Sequence, residues 1–124
     1  MNPPAPAAQA PQQITDFVAQ NFSGRNISFI ENDVNRAGVQ FEATLSDGTE
    51  IDFDANHNWD KIDCKVNPVP DKFIPQAIAA HVKANYPAAA ITKIDKEPYG
   101  YEIELNNGLD LKFNPQGQLV TIDD

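Results

Sequence analysis

Asp52, Asp54, Asn56 and Asp63 are spaced like oxygen ligands of a calcium loop. Counted from Asp52, they stand at the first, third, fifth and twelfth positions. Alternating carboxylate and amide oxygens are what a hard cation takes. The match fails where geometry matters. The sixth position, which needs glycine for the sharp turn, is His57, and the twelfth is Asp where a bidentate Glu is required. The flanks read as strands, not helices. The segment 60 residues further on, Asn114-Pro115-Gln116-Gly117-Gln118, reads as an ordinary hairpin turn. No metal site and no cofactor are therefore expected.

His57 and His81 are the two histidines. One falls in a turn and one in a helix, and neither has a His or Cys partner at zinc spacing. His81 stands where an earlier helix carries Phe17, which suggests a half-buried packing role. Cys64 is the single cysteine and cannot form an internal disulfide. It reads first as a plain strand-end residue, with a reactive thiol or an intermolecular disulfide as the alternatives. No nucleophile and base are spaced to work together, so no catalytic residues and no enzyme are expected.

The elements that would position these groups come from a hairpin pattern that occurs twice. Phe41 to Asp54 and Tyr101 to Asn114 each alternate apolar and polar residues and turn at Asp47-Gly48 or Asn107-Gly108. Such turns between alternating segments are a strong hairpin signal. Ile14, Phe17, Val18 and Phe22 recur at helical spacing before the first copy, and Ile78, Val82 and Tyr86 before the second. Pro11 and Pro75 suit helix starts, where a missing N–H is harmless. Residues 1–13 read as a disordered Pro/Ala-rich tail. Residues 14–66 and 76–124 then read as two units of one helix and four strands, joined by a linker over 67–75 into one compact domain. The expected fold is α+β: a tandem repeat of helix plus four-stranded antiparallel sheet, with the helices packed on one sheet face.

The chain has 124 residues and a net charge of −9, from 18 acidic and 9 basic residues. Both halves are acidic, which argues against a nucleic acid or an anionic membrane as partner. No stretch approaches the ~20 apolar residues needed to span a bilayer, so no membrane insertion is expected. The N-terminus shows no basic region followed by an apolar run, so no signal peptide is read from it.

The second copy contains Ala84-Asn85-Tyr86-Pro87, Ile91-Thr92-Lys93-Ile94, Gly100-Tyr101-Glu102-Ile103-Glu104-Leu105, Asn107-Gly108 and Leu111-Lys112-Phe113. These segments resemble the PepSY-like, β-lactamase-inhibitor-like proteins exported by Bacteroides-type bacteria. The resemblance covers about residues 14 to 124. It implies a fold like that of the β-lactamase inhibitor protein and a periplasmic or secreted location. It carries over no site residues.

With the helices on one face, the other sheet face is free. Trp59, Lys61, Glu42, Asp52, Glu102, Glu104 and Lys112 are the candidate binding residues there. Trp59 is either a binding anchor or cover for a seam. The function expected is a non-enzymatic envelope module that holds a protein or peptide. The alternative, from the resemblance, is an inhibitory or accessory domain acting on an exported peptidase or other hydrolase.

Overall fold

Turn chemistry and alternation decide where each strand begins and ends. The computed structural model describes residues 5–6, 10–36 and 38–124, with side chains for 10–32 and 38–124. The elements are β1 (Ala5–Pro6), α1 (Gln12–Asn21), β2 (Ile27–Arg36), β3 (Val39–Leu45), β4 (Glu50–Phe53) and β5 (Trp59–Asp63). They continue with α2 (Gln76–Asn85), β6 (Ile91–Glu97), β7 (Gly100–Leu105), β8 (Asp110–Phe113) and β9 (Leu119–Asp123).

The expected tandem of helix plus four-stranded sheet is corrected here. Hydrogen bonding joins the strands into one antiparallel sheet in chain order, nine strands counting the two-residue β1. Among the described residues the fold is α+β and mostly sheet, with two α-helices. The reason lies in what alternation encodes. It tells which face of a strand is apolar, but a sheet ends where backbone N–H and C=O groups stop meeting, and no side-chain pattern marks that. Of the expected tail, residues 1–4 and 7–9 lie outside the described residues. Ala5 and Pro6 pair with Ile30 and Phe29, and Gln12 and Gln13 already belong to α1.

The chain divides into two compact units, Met1–Ile62 and Asp63–Asp124. In the first, the N–H groups of Ile14 and Thr15 donate to the Pro11 carbonyl and start α1. Ile14, Val18 and Phe22 are buried along one side of it, as are Ala43, Leu45, Ile51 and Phe53 of β3 and β4. Phe17 meets Phe53 edge-on, with ring centroids 5.4 Å apart. Full burial of such side chains contributes about 2 kcal/mol each.

In the second unit Pro75 starts α2 in the same way. Ile78 and Val82 are buried, with Ile94, Ile103, Leu105, Leu111 and Phe113 beneath. His81 lies edge-on to Phe113 at 5.5 Å. The Cys64 and Val69 N–H groups donate to Thr92 and Ile91 carbonyls, and Asp71–Phe73 is a 3-10 turn.

Four hairpin turns share one design. The first residue's N–H donates to the fifth residue's carbonyl, and the fourth residue's N–H donates back to the first carbonyl. Leu45–Thr49, Asp54–Asn58, Leu105–Leu109 and Asn114–Gln118 all do this. The fourth residue must be left-handed, as in a three-residue loop with a bulge. Gly48, Gly108 and Gly117 fill that slot, and His57 fills it with φ 67°.

Gly100 is constrained differently. Its φ is +140°, and an added Cβ would stand 2.2 Å from the Phe113 carbonyl oxygen. Gly108, with φ +90°, faces open space. Gly108→Ala should therefore cost about 1–2 kcal/mol from backbone conformation alone. Gly100→Ala should cost clearly more, on the order of 4 kcal/mol, because backbone has to move. Urea denaturation of both variants checks the ranking; equal losses would refute it.

Candidate functional site

In the first unit the polar side of the sheet carries a row of acids. Glu31 pairs with Glu42, and Glu42 with Asp52. Asp52 does not lie open, as the alternation suggested. It is 2% exposed, and its carboxylate lies 3.8 Å from the Lys61 amine. Glu42, Lys61 and Trp59 are half-buried. Ile62 is fully buried three residues after Trp59.

The residues of the calcium-like spacing do not converge. Asp54 Oδ1 accepts from the Asn56 and Asn58 N–H groups at 2.9 and 3.0 Å, so it serves the turn. Asp52 faces Lys61. His57 contacts the Gln13 amide oxygen and packs against Phe41, with centroids 5.3 Å apart.

In the second unit two charged rows cross the sheet. One is Asp95–Glu102–Lys112–Thr121 and the other Lys93–Glu104–Asp110–Asp123. Glu102 and Lys112 are thus direct neighbours, and Glu104 sits in the adjoining row. All three are half-buried. Lys112 lies 3.9 Å from Asp123 and 5.9 Å from the centre of the Tyr99 ring.

A carboxylate cluster forms where sequence reasoning placed none. Ligand oxygens of Asp95, Glu97 and Glu102 lie within 4.8 Å of one another, and all three residues are half-buried. Asp95 and Glu97 share a strand face, and Glu102 stands opposite Asp95. From the sequence alone, Ile91 to Asp95 reads as a strand and Lys96 to Gly100 as a turn, which takes Glu97 off the strand. The signal that could have found the cluster is the tight Pro98-Tyr99 loop, which sets the register 97 to 100, 96 to 101 and 95 to 102.

The second unit also holds a crevice of about 600 Å³ between α2 and residues 68–74. Pro68, Val69, Ile74, Val82, Tyr86 and Ile91 are among its lining residues, with Asp71 and Lys83 its charged groups. No serine, cysteine or histidine lines it. Among the described residues no helix is long and apolar enough to cross a membrane.

The family described as "Putative beta-lactamase-inhibitor-like, PepSY-like" matches residues 39–121. Three solved structures are similar along nearly the whole chain. A "putative calcium-regulated periplasmic protein" from Bacteroides thetaiotaomicron is 33% identical, covers 98% of this chain and 95% of its own, and superposes with a TM-score of 0.87. A "putative periplasmic protein of unknown function" from Bacteroides vulgatus is 33% identical over 95% of this chain and 94% of its own, with a TM-score of 0.83. A second periplasmic protein of that organism, also described as putative, is 29% identical over 98% and 96%, with a TM-score of 0.83. No protein with a curated description matches the chain.

Burial, then Glu102, Glu97 and Asp95, push the Tyr99 hydroxyl up to about 12. The folded chain keeps this proton above the ordinary tyrosine value of about 10, so stability falls as pH rises between the two. The phenolate absorbance that disappears in Tyr99→Phe should titrate near pH 12 while circular dichroism still reports a folded chain. Glu102→Gln should move that midpoint toward 10. A Tyr99 midpoint near 10 in the unaltered chain would contradict this electrostatic picture.

Proposed function

The chain belongs to the PepSY-like, β-lactamase-inhibitor-like family, and on that premise we propose that it is a non-enzymatic binding module of the periplasm or cell envelope. It holds a protein or peptide on the polar face of its sheet. The observation that carries this reading is the pair of charged rows through Glu102, Glu104 and Lys112. They are half-exposed and held on strands whose other face is core. A strand platform is preorganised, so little ordering entropy opposes association. Carboxylates with a few amines among them favour a basic or mixed-charge partner and steer its approach. The periplasmic descriptions of the similar proteins from Bacteroides support the location.

Within this reading Asp52 and Lys61 hold each other, and Trp59 is the aromatic anchor beside them. Trp59→Ala should reduce recovery of the partner from an envelope extract severalfold with little change in thermal melt. Glu102→Lys combined with Glu104→Lys should do the same and weaken the salt dependence of recovery. Undiminished recovery in both variants would sink the reading. A large drop in melt for Trp59→Ala alone would make that residue structural.

A second reading has one observation behind it. The Asp95, Glu97 and Glu102 oxygens converge within 4.8 Å and together hold the Tyr99 proton. Calcium takes six to eight oxygens from carboxylates, carbonyls and water, and three carboxylates fit that demand. The ion would lie in the row of Glu102 and Lys112 and would change the charge that row presents. The calcium-regulated description belongs to the Bacteroides thetaiotaomicron protein and lends support here. This reading reverses the sequence expectation of no metal, at residues that expectation did not consider. Calorimetry with calcium should give a saturable isotherm that Glu102→Gln weakens about tenfold or more. A flat titration at millimolar calcium would rule the ion out.

A further inference from the structure

The last strand of the sheet, β9, is exposed at all five residues. Val120 is 62% and Ile122 48% exposed, whereas Ile62, 60 positions earlier in the same sequence pattern, is fully buried. Two rows of side chains cross the second unit and stop at this edge. Ile94–Ile103–Leu111–Ile122 is apolar, and its first three members are fully buried. The row beside it, Lys93–Glu104–Asp110–Asp123, ends in three successive carboxylates. Like charges directly opposite one another are unfavourable in a sheet. Lys112 lies 3.9 Å from Asp123, in a pair too exposed to offset much of that. The next position outward therefore favours an apolar side chain beside Ile122 and a cation beside Asp123.

We propose that the β9 edge accepts an extended strand from a partner protein, one in which a Lys or Arg directly neighbours an apolar residue. This rests on reading the chain as a protein- or peptide-binding module, but it uses the sheet edge and not the polar face. Main-chain hydrogen bonds to the edge supply the attachment, and the Ile122 and Asp123 positions select the sequence. A second copy of this chain is the poorer occupant. It would bring Asp123, Asp124 and a further charge of −9 to the same edge.

The probe is a capped heptapeptide alternating lysine and valine, titrated into the isotopically labelled full chain at low salt and followed by amide NMR. Amides of residues 119–123 should shift in a saturable way. A glutamate–valine peptide should bind about tenfold more weakly or worse, and Asp123→Lys should invert the preference. Asp123 is largely exposed, so the variant should fold. Shifts confined to Glu102, Glu104 and Lys112 would overturn the edge proposal and leave the polar-face reading standing. Equal binding of the two peptides, or no binding at the edge, would overturn it as well. Sedimentation showing a dimer that Ile122→Asp dissolves would assign the edge to a second copy and refute the basic partner.

Discussion

Each helix and the strands beneath it depend on one shared burial. A ten-residue helix is too short to persist alone in water, and a lone hairpin is marginal at best. Ile14, Val18 and Phe22 in the first unit, and Ile78 and Val82 in the second, supply what both lack. The edge-on contacts Phe17–Phe53 and His81–Phe113 fix where the helix sits on the sheet. Imidazole serves as well as a benzene ring there because the contact needs a flat, polarisable edge more than apolar area. The ring contact with Phe113 is thus a packing reason for a histidine at this helix position.

Committing one face of every strand to that burial determines what the other face can be. Side chains alternate, so the residues between the core positions must tolerate water. The two units meet this demand differently. In the first, Asp52 is withdrawn from solvent against Lys61. A pair so buried is costly to break, because removing one partner strands the other charge. In the second, Glu102, Glu104 and Lys112 stay half-exposed, and pairs of that kind add little stability. Under the binding reading proposed above, the half-exposed charges of the second unit are therefore better candidates for recognition than the buried Asp52 of the first.

The hairpins and helices were legible because their signals are local. Asp47-Gly48 and Asn107-Gly108 name the turn, and four-residue spacing names the helix. His57 was legible only in part: its turn could be located, but not that its backbone adopts the left-handed form of the glycine slot. The single sheet was not legible, since side-chain alternation carries no mark of where hydrogen bonding stops. The Asp95, Glu97 and Glu102 cluster was missed for a related reason. Ending the strand at Asp95 hid a register that a two-residue loop imposes.

What a strand exposes therefore depends on two things of different origin. Period-two alternation decides the face, and register decides the neighbours. Asp110 alone is an ordinary surface acid. Between Glu104 and Asp123 it becomes the middle of three aligned carboxylates, and only the loops on either side make it so. Such an alignment leaves no spaced motif in the sequence, because its three members come from three separate strands.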